Sequence, residues 1–571
     1  MPYKDLRDFI DTLEKKGELV RIKTEVDPCL EITEILDRLL AVRGPVVIFE
    51  NVKGHHIPVV ANLYGTVERV ALGLESDEEG LEEIGTFLAY LQQPEPPKGL
   101  IEAVKKLPFF AKVMNLTPRV VTRAPCQEVV IQGDDVDLTG LPIMTCWPGD
   151  AAPLITWPLV VTQSPSGGPY NVGVYRMQVI GKDKTLMRWL KTRGGAQHHR
   201  EWKEKNMPMP VAVAIGCEPA TTIAAVTPVP ERIGEFHFAG LLRKEAIDLV
   251  QCKTSNLMVP AASEIVLEGE IVHGEESREG PFADHTGYYN AEESFPVFRI
   301  KCITHRSSPY YLSTITGRPP KEDAIIALAL TRIFLPLLRN QFPEISDFHL
   351  PMEAVSYRIA VVSIKKEFPG HAKRVMMGLW GFLKQFLYTK YIIVVDDDIN
   401  VRNWDDVVWA ISTRVDPGRD ITIIENTPFD YLDFSTPVPE LGAKMGIDAT
   451  MKYPPEVNRA WGKKIEMSME IKELVDKKWP SLGIPNPPKS PFRKGGLLFG
   501  PFRKRGLLLG GFRKRGFYRY LREREILASP SPIRDILDYV PRPFLTDLTY
   551  FPPFLKGGRG DFKETYDRHS W

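Results

Sequence analysis

Several patterns that would assign a chain of this length to a familiar class are missing from the sequence. No phosphate-binding P-loop, HExxH zinc motif, GxSxG nucleophile motif or zinc-ribbon spacing is present. The six cysteines show no CxxC spacing, which is typical of packing residues in a reduced protein. Any bound metal is therefore expected to have oxygen and nitrogen ligands.

Long apolar runs and a strong net charge are also missing. The chain has no secretory signal or run of membrane-spanning length, so we expect a cytoplasmic protein, at most peripheral to the inner membrane. The formal net charge is +0, which gives no global field to attract nucleic acid, and no nucleic-acid partner is expected. With 43% hydrophobic residues over 571 positions, the chain can bury large cores in two to four domains.

The residue pattern changes twice along the chain, and the three resulting segments predict an α+β multidomain fold. Residues 1–118 combine helical and strand patterns, with Leu6, Phe9, Ile10 and Leu13 on one helical face, and predict an α/β domain. Residues 119–315 contain short β-rich runs separated by proline and glycine, which predict a barrel or a sandwich. In residues 316–485 strands alternate with helices, as in a parallel sheet covered by helices.

A hairpin over residues 171–196, with its turn at 181–184, carries more polar side chains than an ordinary hairpin. The polar positions are Asn171, Arg176, Gln178, Arg188 and Arg193. They indicate a lined site, although an edge hairpin with a solvated polar face is the alternative. Asn171 and Arg176 point to opposite sides of a straight strand, so a shared pocket requires a bend, which we predict at Gly173.

A second polar cluster lies in the run from Arg278 to Tyr289. It places Glu279 and Asp284 in a turn bounded by glycine and proline. Two carboxylates in one site push their pKa values apart, so one is ionised and the other can carry a proton. With Arg176, the pair could hold a substrate carboxylate and deliver a proton, whereas the alternative is an acidic surface turn.

Two further acidic groups could bind a ligand. Glu235 and His237 lie at the start of a helix-like segment, and Glu235 together with Asn171 offers the oxygen ligands that Mn²⁺ or Mg²⁺ prefers. Residues Asp396 to Asp398 follow a strand, where α/β sheets bind ligands, but we favour a cap on the next helix.

The tail, residues 486–571, has a different composition. Three ten-residue units rich in Phe, Arg, Lys and Gly begin at Pro491, Pro501 and Gly511. A nucleic-acid arm is one interpretation. We favour a disordered or insertion-derived segment without a catalytic role, because such a composition need not form a core.

Five long runs, in one order, resemble a known family. They are Thr145-Cys-Trp-Pro-Gly-Asp-Ala-Ala-Pro-Leu-Ile-Thr-Trp, Asn171-Val-Gly-Val-Tyr-Arg, Met187-Arg-Trp-Leu-Lys-Thr-Arg-Gly-Gly-Ala, Glu279-Gly-Pro-Phe-Ala-Asp-His-Thr-Gly-Tyr-Tyr and Gly370-His-Ala-Lys-Arg-Val-Met-Met-Gly. Residues 1–485 closely resemble the UbiD family, above all its members that decarboxylate 4-hydroxy-3-polyprenylbenzoate. The resemblance implies an N-terminal α/β domain, a flavin-reductase-like split β-barrel and a C-terminal α/β domain.

The resemblance also implies a cofactor and a set of site residues. The cofactor is prenylated FMN, held through its phosphate by Mn²⁺ or another divalent metal, with K⁺ as a further ion. Asn171 and Glu235 match the metal ligands, and His198 lies near the position of a third. The matched catalytic residues are Arg176, Glu279 and Asp284, with Asp284 as the proton donor. The matched cofactor contacts are Val174, Tyr175, Arg176, Arg188, Trp189, Leu190, Arg193, Gly194 and Lys390.

Three functional hypotheses remain open from the sequence. The first is a decarboxylase of polyprenylated hydroxybenzoate in quinone biosynthesis, supplied by a flavin prenyltransferase and assembled as a homo-oligomer, from dimer to hexamer. The second is a UbiD-family relative that acts on another aromatic or acrylic acid. The third is an RNA- or membrane-binding protein whose functional part is the basic tail.

Overall fold

The computed structural model describes residues 2–92, 116–191, 193–227, 234–382 and 387–484. The repeat tail of residues 486–571 lies outside this description. The strands are β1 (Leu19–Ile22), β2 (Val46–Phe49), β3 (Val59–Ala61), β4 (Arg119–Val121), β5 (Val129–Gln132), β6 (Leu154–Ile155), β7 (Leu159–Thr162), β8 (Asn171–Val174), β9 (Met177–Gly181), β10 (Lys184–Met187), β11 (Met209–Ile215), β12 (Asp248–Gln251), β13 (Met258–Pro260), β14 (Ile265–Glu279), β15 (Glu293–His305), β16 (Tyr311–Leu312), β17 (Ile345–His349), β18 (Ile359–Ile364), β19 (Tyr391–Asp396), β20 (Ile421–Pro428) and β21 (Leu441–Ala449).

The described helices fall into three groups along the sequence, within residues 6–92, 194–243 and 322–478. They are α1 (Leu6–Lys15), α2 (Glu31–Ala41), α3 (Val67–Gly73), α4 (Glu78–Gln92), α5 (Gly194–Glu204), α6 (Pro219–Val226), α7 (Glu235–Arg243), α8 (Glu322–Gln341), α9 (His371–Phe382), α10 (Trp404–Arg414), α11 (Pro417–Asp420) and α12 (Met469–Lys478). In the described ranges, no helix combines the length and the apolar character that crossing a bilayer requires.

The N-terminal segment has the predicted α/β character. The side chain of Asp5 caps α1, and Leu6, Phe9, Ile10 and Leu13 are buried on one face, as the sequence predicts. The sheet has the order β1-β2-β3-β16, so residues 311–312 join it from far along the chain. One continuous core of buried side chains extends from Leu6 to Ile333. The predicted domain boundaries at 118 and 315 therefore stay predictions.

The central sheet is curled. Its strand order is β6-β9-β10-β15-β14-β11-β7-β8, with β5 paired to β15. β8 ends this order and β9 lies near its other end, yet only Tyr175 and Arg176 separate the two strands in sequence. Two residues span only about 7 Å, so the sheet must curl until its ends approach each other. The predicted barrel is confirmed as a half-barrel.

The predicted bend at Gly173 is wrong. β8 pairs with β7 in unbroken register from Asn171 to Val174, and the strand breaks only at Tyr175 and Arg176. Closure of the sheet, not glycine flexibility, sets the position of the bend. Gly173 has a different role, because a Cβ atom there would lie 2.7 Å from the Tyr175 ring. The missing side chain leaves room for that ring.

The C-terminal sheet has the order β17-β18-β19-β21-β20. β18, β19 and β21 are parallel, which confirms the prediction for the centre of the sheet. β17 and β20 pair antiparallel at the edges, so a fully parallel sheet was a wrong prediction. The sequence pattern missed β21, since its glycines and charged side chains interrupt the apolar run. Separate apolar clusters cover the two faces.

The sequence pattern predicts helices over residues 324–334, 372–387 and 404–413, and the structure confirms them as α8, α9 and α10, although residues 383–386 lie outside the described residues. The cap predicted at Asp396 to Asp398 is wrong. Asn403 caps α10, while Asp396 and Asp398 bind Arg414 near the end of that helix. Residues 468–484 form a separate unit that contains α12, which Ser468 caps.

Candidate active site

Arg176 lies where the curled sheet bends between β8 and β9. Its Nε and Nη2 atoms donate to the two oxygens of Glu279 at 2.7 and 3.0 Å, and its Nη1 donates to Asp284 at 2.8 Å. The guanidinium also packs over the Phe282 ring, 5.3 Å from its centroid. The structure therefore brings together Arg176, Glu279 and Asp284, as the sequence predicts.

Glu279, the last residue of β14, is fully buried and bound by two arginines. Besides Arg176, Arg188 donates to Glu279 Oε2 at 2.6 Å. Arg188 itself is buried and also contacts Tyr431 and the half-exposed Glu293. Buried carboxylates require such partners, since an unpaired charge in a protein interior is strongly unfavourable. Glu279 thus fixes both guanidinium groups at the bend.

The turn that carries Asp284 is held by hydrogen bonds from three directions. Gln178 accepts from the backbone N–H of Gly280 at 2.9 Å, and Asp150 accepts from that of Ala283 at 3.0 Å. Asn290 Oδ1 accepts both from Phe282 N and from Arg176 Nη2. These contacts place the Asp284 carboxylate on the same side of the bend as Arg176.

Asp284 does not show the raised pKa that the sequence argument expects of a proton carrier. Burial raises its pKa, but hydrogen bonds and charge from His285, together with the charge of Arg176, hold the pKa well below its usual range. His285 shifts the opposite way. Burial lowers its pKa, and Asp284 more than offsets this, so the pKa of His285 is raised. Both shifts favour a charged His285 imidazole beside an ionised Asp284 carboxylate.

Asn171, Glu235 and His198 form a second group beside the bend. Thr162 links two of them, because its Oγ1 lies 3.0 Å from His198 Nδ1 and 3.4 Å from Asn171 Nδ2. The Glu235 carboxylate opens α7 and accepts from the backbone N–H of Val172 at 3.1 Å. The structure therefore gathers all three predicted metal ligands around β8.

The Glu235 environment fits a bound cation. Burial raises the pKa of Glu235 to about 7, and within the described ranges no Lys or Arg side chain pairs with this carboxylate. Burial also lowers the pKa of His198, which favours the neutral imidazole that binds metals. No cluster of three His, Cys, Asp or Glu side chains suited to a metal occurs in the described part of the chain. A site here would depend on the Asn171 amide and on ligands from outside the protein.

The same region also fits an anionic group. α5 begins at Gly194, and a Cβ atom there would lie 2.1 Å from Asn171 Oδ1, so the backbone approaches Asn171 closely. Its N-terminal amides face this region, with Gly195 N 3.3 Å from Tyr175 OH. The indole N–H of Trp189 is buried without a hydrogen-bond partner among the described residues, so it remains available to a ligand.

The other predicted cofactor contacts are distributed around this region. Val174 ends β8, Leu190 is half-buried, and Arg193 is exposed at the cap of α5. Lys390 lies elsewhere: its Nζ is 3.1 Å from Asp433 and it packs over the Phe429 ring. The structure thus brings together the predicted contacts of the half-barrel, whereas Lys390 pairs with Asp433.

Sequence reasoning missed the partners that come from distant parts of the chain. They are Thr162, Asn290, Tyr357, Asp430 and Tyr431. Tyr357 and Asp430 extend the hydrogen bonds of Asp284 and His285 into the C-terminal segment. No local pattern marks these residues, since the contact of Thr162 with His198 spans 36 positions and those of the other four residues span 72 or more.

Comparison with known proteins agrees with this arrangement. The N-terminal, Rift-related and C-terminal domain models of 3-octaprenyl-4-hydroxybenzoate carboxy-lyase match residues 10–88, 119–319 and 324–449. The closed form of vanillic acid decarboxylase from Sedimentibacter hydroxybenzoicus is 32% identical, with a TM-score of 0.73 over 85% of this chain and 100% of that one.

The enzyme HmfF from Pelotomaculum thermopropionicum is similar in two solved forms. Its FMN complex is 30% identical, with a TM-score of 0.68 over 83% of this chain and 99% of that one. An evolved dimeric form with prFMN is also 30% identical, with a TM-score of 0.67 over 83% of this chain and 100% of that one. The resemblance seen in the sequence is confirmed: this chain belongs to the UbiD family of carboxy-lyases.

Proposed function

We propose that this decarboxylase acts on 4-hydroxy-3-polyprenylbenzoate with prenylated FMN and yields a 2-polyprenylphenol for ubiquinone or plastoquinone biosynthesis. The observation that carries the proposal is the Arg176 guanidinium between Glu279 and Asp284 at the bend of the half-barrel. This arrangement combines a cation, which can bind an acidic substrate, with a carboxyl group beside that cation. The family supports loss of CO₂ as the reaction.

Each of the three residues has a role in the proposed reaction. Arg176 orients the substrate carboxylate, which competes with Asp284 for the guanidinium. Glu279 holds Arg176 and Arg188 in place through its buried contacts. Asp284 gives a proton to the ring carbon that has lost CO₂. The balance is one carboxylate and one proton consumed for one arene and one CO₂ released.

Residues around β8 would hold the cofactor and its ion. Asn171, Glu235 and, as a third ligand, His198 would bind Mn²⁺ or another divalent metal, with K⁺ as a further ion. The start of α5 with Tyr175, Trp189 and Arg193 would contact the flavin and its phosphate. When bound, the prenylated flavin supplies an electron sink for the charge left by CO₂ loss. The FMN and prFMN complexes of HmfF support the flavin part of this proposal.

Two exposed aromatic rings beside Asp284 favour a substrate with an apolar tail. The Tyr288 carbonyl accepts from Asp284 N, and the Tyr288 ring lies edge to face with Phe434, at 6.3 Å between centroids. Both side chains are more than half exposed. Exposed aromatic pairs at a site commonly mark a binding surface, and an isoprenoid chain would cover this one.

The second candidate is another aromatic or acrylic acid. It is supported by the vanillic acid decarboxylase, which is 32% identical over the full length of that chain. The isoprenoid chain of the substrate distinguishes the two candidates, because vanillate carries none. If Phe434→Ser raises KM for a prenylated hydroxybenzoate and leaves KM for vanillate unchanged, the first candidate is supported.

The direct test is CO₂ release after co-expression with a flavin prenyltransferase, which we propose as the supplier of the cofactor. We expect release from prenylated 4-hydroxybenzoate at a kcat/KM at least tenfold above that for vanillate, 4-hydroxybenzoate or cinnamate. Preference for an untailed acid would favour the second candidate. Sedimentation of the same preparation, with and without anionic vesicles, tests the proposed homo-oligomer and its peripheral membrane association.

A further inference from the structure

A chain of hydrogen bonds leads away from Asp284 into the C-terminal segment. His285 Nδ1 lies 2.8 Å from Asp284 Oδ1, and His285 Nε2 lies 3.0 Å from Tyr357 OH. Tyr357 OH in turn donates to Asp430 Oδ2 at 2.7 Å. We refer to these four residues as the His285 chain. Three of them are outside the Arg176, Glu279 and Asp284 group.

The direction of these hydrogen bonds determines the protonation of His285. Tyr357 has one hydroxyl proton and gives it to Asp430, so its oxygen can only accept from His285 Nε2. Asp284 is likewise an acceptor for His285 Nδ1. An imidazole with an acceptor at each nitrogen is stabilised in its doubly protonated, charged form.

The charges that face His285 favour the same form. Three carboxylates act on it: Asp284 beside it, Asp323 in the first turn of α8 and Asp430 beyond Tyr357. Each of these carboxylates also has a cation near it. Arg176 pairs with Asp284, Arg358 pairs with Asp430, and Lys321 lies near Asp323. Burial lowers the pKa of His285, but the hydrogen bond to Asp284 and the three carboxylates more than offset this, so the pKa is raised.

Both oxygens of Asp284 already accept hydrogen bonds, which favours its ionised form over a form that stores a proton. Arg176 donates to its Oδ2, and both the backbone N–H and the ring of His285 donate to its Oδ1. His285, whose Nδ1 lies 2.8 Å from Asp284 Oδ1, is placed to supply the proton that Asp284 passes on.

We propose that His285 stores the proton for ring protonation and delivers it through Asp284, while Tyr357 and Asp430 act as positioning residues that keep His285 charged. The inference rests on the proposed decarboxylation and deepens it. In the step, the N–H bond at His285 Nδ1 breaks and an O–H bond forms on Asp284. Asp284 then gives that proton to the ring carbon and returns to its carboxylate form. His285, left neutral, takes its next proton from water.

The first test is the pH profile of turnover. Turnover of the wild-type protein should fall as pH rises through the raised pKa of His285. Tyr357→Phe removes the acceptor for Nε2, so the charged imidazole is less stable and the alkaline limb should move about one unit to lower pH. His285→Asn keeps a donor for Asp284 but holds no titratable proton, and exchange of the product ring hydrogen should fall about a hundredfold.

Tyr388→Phe is the matched control. Its ring lies 6.5 Å from that of Tyr357, but its hydroxyl is not part of the His285 chain. This variant should keep the alkaline limb of the wild-type pH profile. An unshifted limb in Tyr357→Phe would overturn the inference, even if His285→Asn failed to fold. Equal ring-hydrogen exchange in His285→Asn and wild type would overturn it as well.

A histidine titration followed by NMR separates this inference from the proposed function. The Cε1–H signal that disappears in His285→Asn should titrate above pH 6.5 in the full-length wild-type protein and lower in Tyr357→Phe. A wild-type midpoint below 6.5 would overturn the inference without any assay of turnover. Normal titration together with no CO₂ release from any tested acid would instead contradict the proposed function.

Discussion

Glu279 shows at the scale of single residues how this site is held. Its carboxylate is fully buried and accepts three N–H groups from Arg176 and Arg188. Removing the charge would leave two buried guanidinium groups with less compensation, and unpaired buried charges destabilise proteins strongly. The residue therefore couples the stability of the fold to the position of Arg176.

We expect Glu279→Gln to lower turnover at least tenfold and the free energy of unfolding by about 3 kcal/mol. Denaturant unfolding and CO₂ release measure the two effects. Glu293→Gln is the matched control, since Glu293 contacts the same Arg188 at 3.2 Å but its side chain is 44% exposed. Exposed ion pairs contribute little, so that variant should resemble wild type. Equal behaviour of the two variants would contradict the assigned role.

Asp284→Asn should lower turnover by about a hundredfold to ten-thousandfold, because the amide keeps the size but cannot donate a carboxyl proton. The flavin and metal contents should stay near wild type, since Asp284 lies with Arg176 and not with Asn171. Turnover and ring-hydrogen exchange measure the loss. Wild-type rates in both assays would show that another group donates the proton.

The cluster of Asn171, Glu235 and His198 predicts that metal and flavin are lost together. Asn171→Ala or Glu235→Ala should remove both metal and flavin from the purified protein, because one ion would join these side chains to the cofactor phosphate. Metal analysis and flavin absorbance give the readout. The control is His237→Ala, an exposed residue on the same helix as Glu235. Full retention of both ligands would exclude Asn171 and Glu235 as metal ligands.

At the scale of elements, the sequence predicted what depends on local periodicity. The buried face of α1 and the strands of the half-barrel follow from the spacing of apolar residues such as Leu6, Phe9 and Ile10. The antiparallel edges of the C-terminal sheet and the bend at Tyr175 were not predictable, because both depend on pairing between distant strands. In the site, the family motifs contain Arg176 and Asp284, whereas Tyr357 and Asp430 belong to none of them.

Gly173 provides a test of the bend. In Gly173→Ala the new Cβ atom would lie 2.7 Å from the Tyr175 ring, so the ring must move away from Asn171 and the start of α5. We expect at least a tenfold weaker retention of flavin, measured by absorbance after dialysis. Gly181→Ala in the hairpin turn is the control, because its nearest neighbour atom would lie at 3.8 Å. Unchanged flavin retention in Gly173→Ala would show that the ring position is not needed.

At the scale of the whole molecule, part of the chain accounts for the full length of its relatives. Coverage of 83–85% of this chain matches 99–100% of HmfF and of the vanillic acid decarboxylase. The family models end at residue 449, and every matched site residue precedes that position. The family models and the predicted site residues thus all lie before the repeats, which begin at Pro491.

Deleting residues 487–571 should leave decarboxylation within about twofold of the full-length chain. The physical reason is that the half-barrel and the C-terminal sheet of the described residues end by Ala449, whereas glycines and basic residues interrupt the apolar side chains of the repeats, a low-complexity pattern that need not form a core. Turnover, flavin content and sedimentation of the truncated and full-length proteins, prepared in parallel, measure the effect. A third variant, with the arginines and lysines of the three repeats replaced by serine, separates loss of charge from loss of length. If truncation abolished flavin-bound protein while the serine variant retained it, the length of the tail would be part of the fold. If both variants kept turnover but no longer sedimented with anionic vesicles, the charge of the tail would serve membrane association.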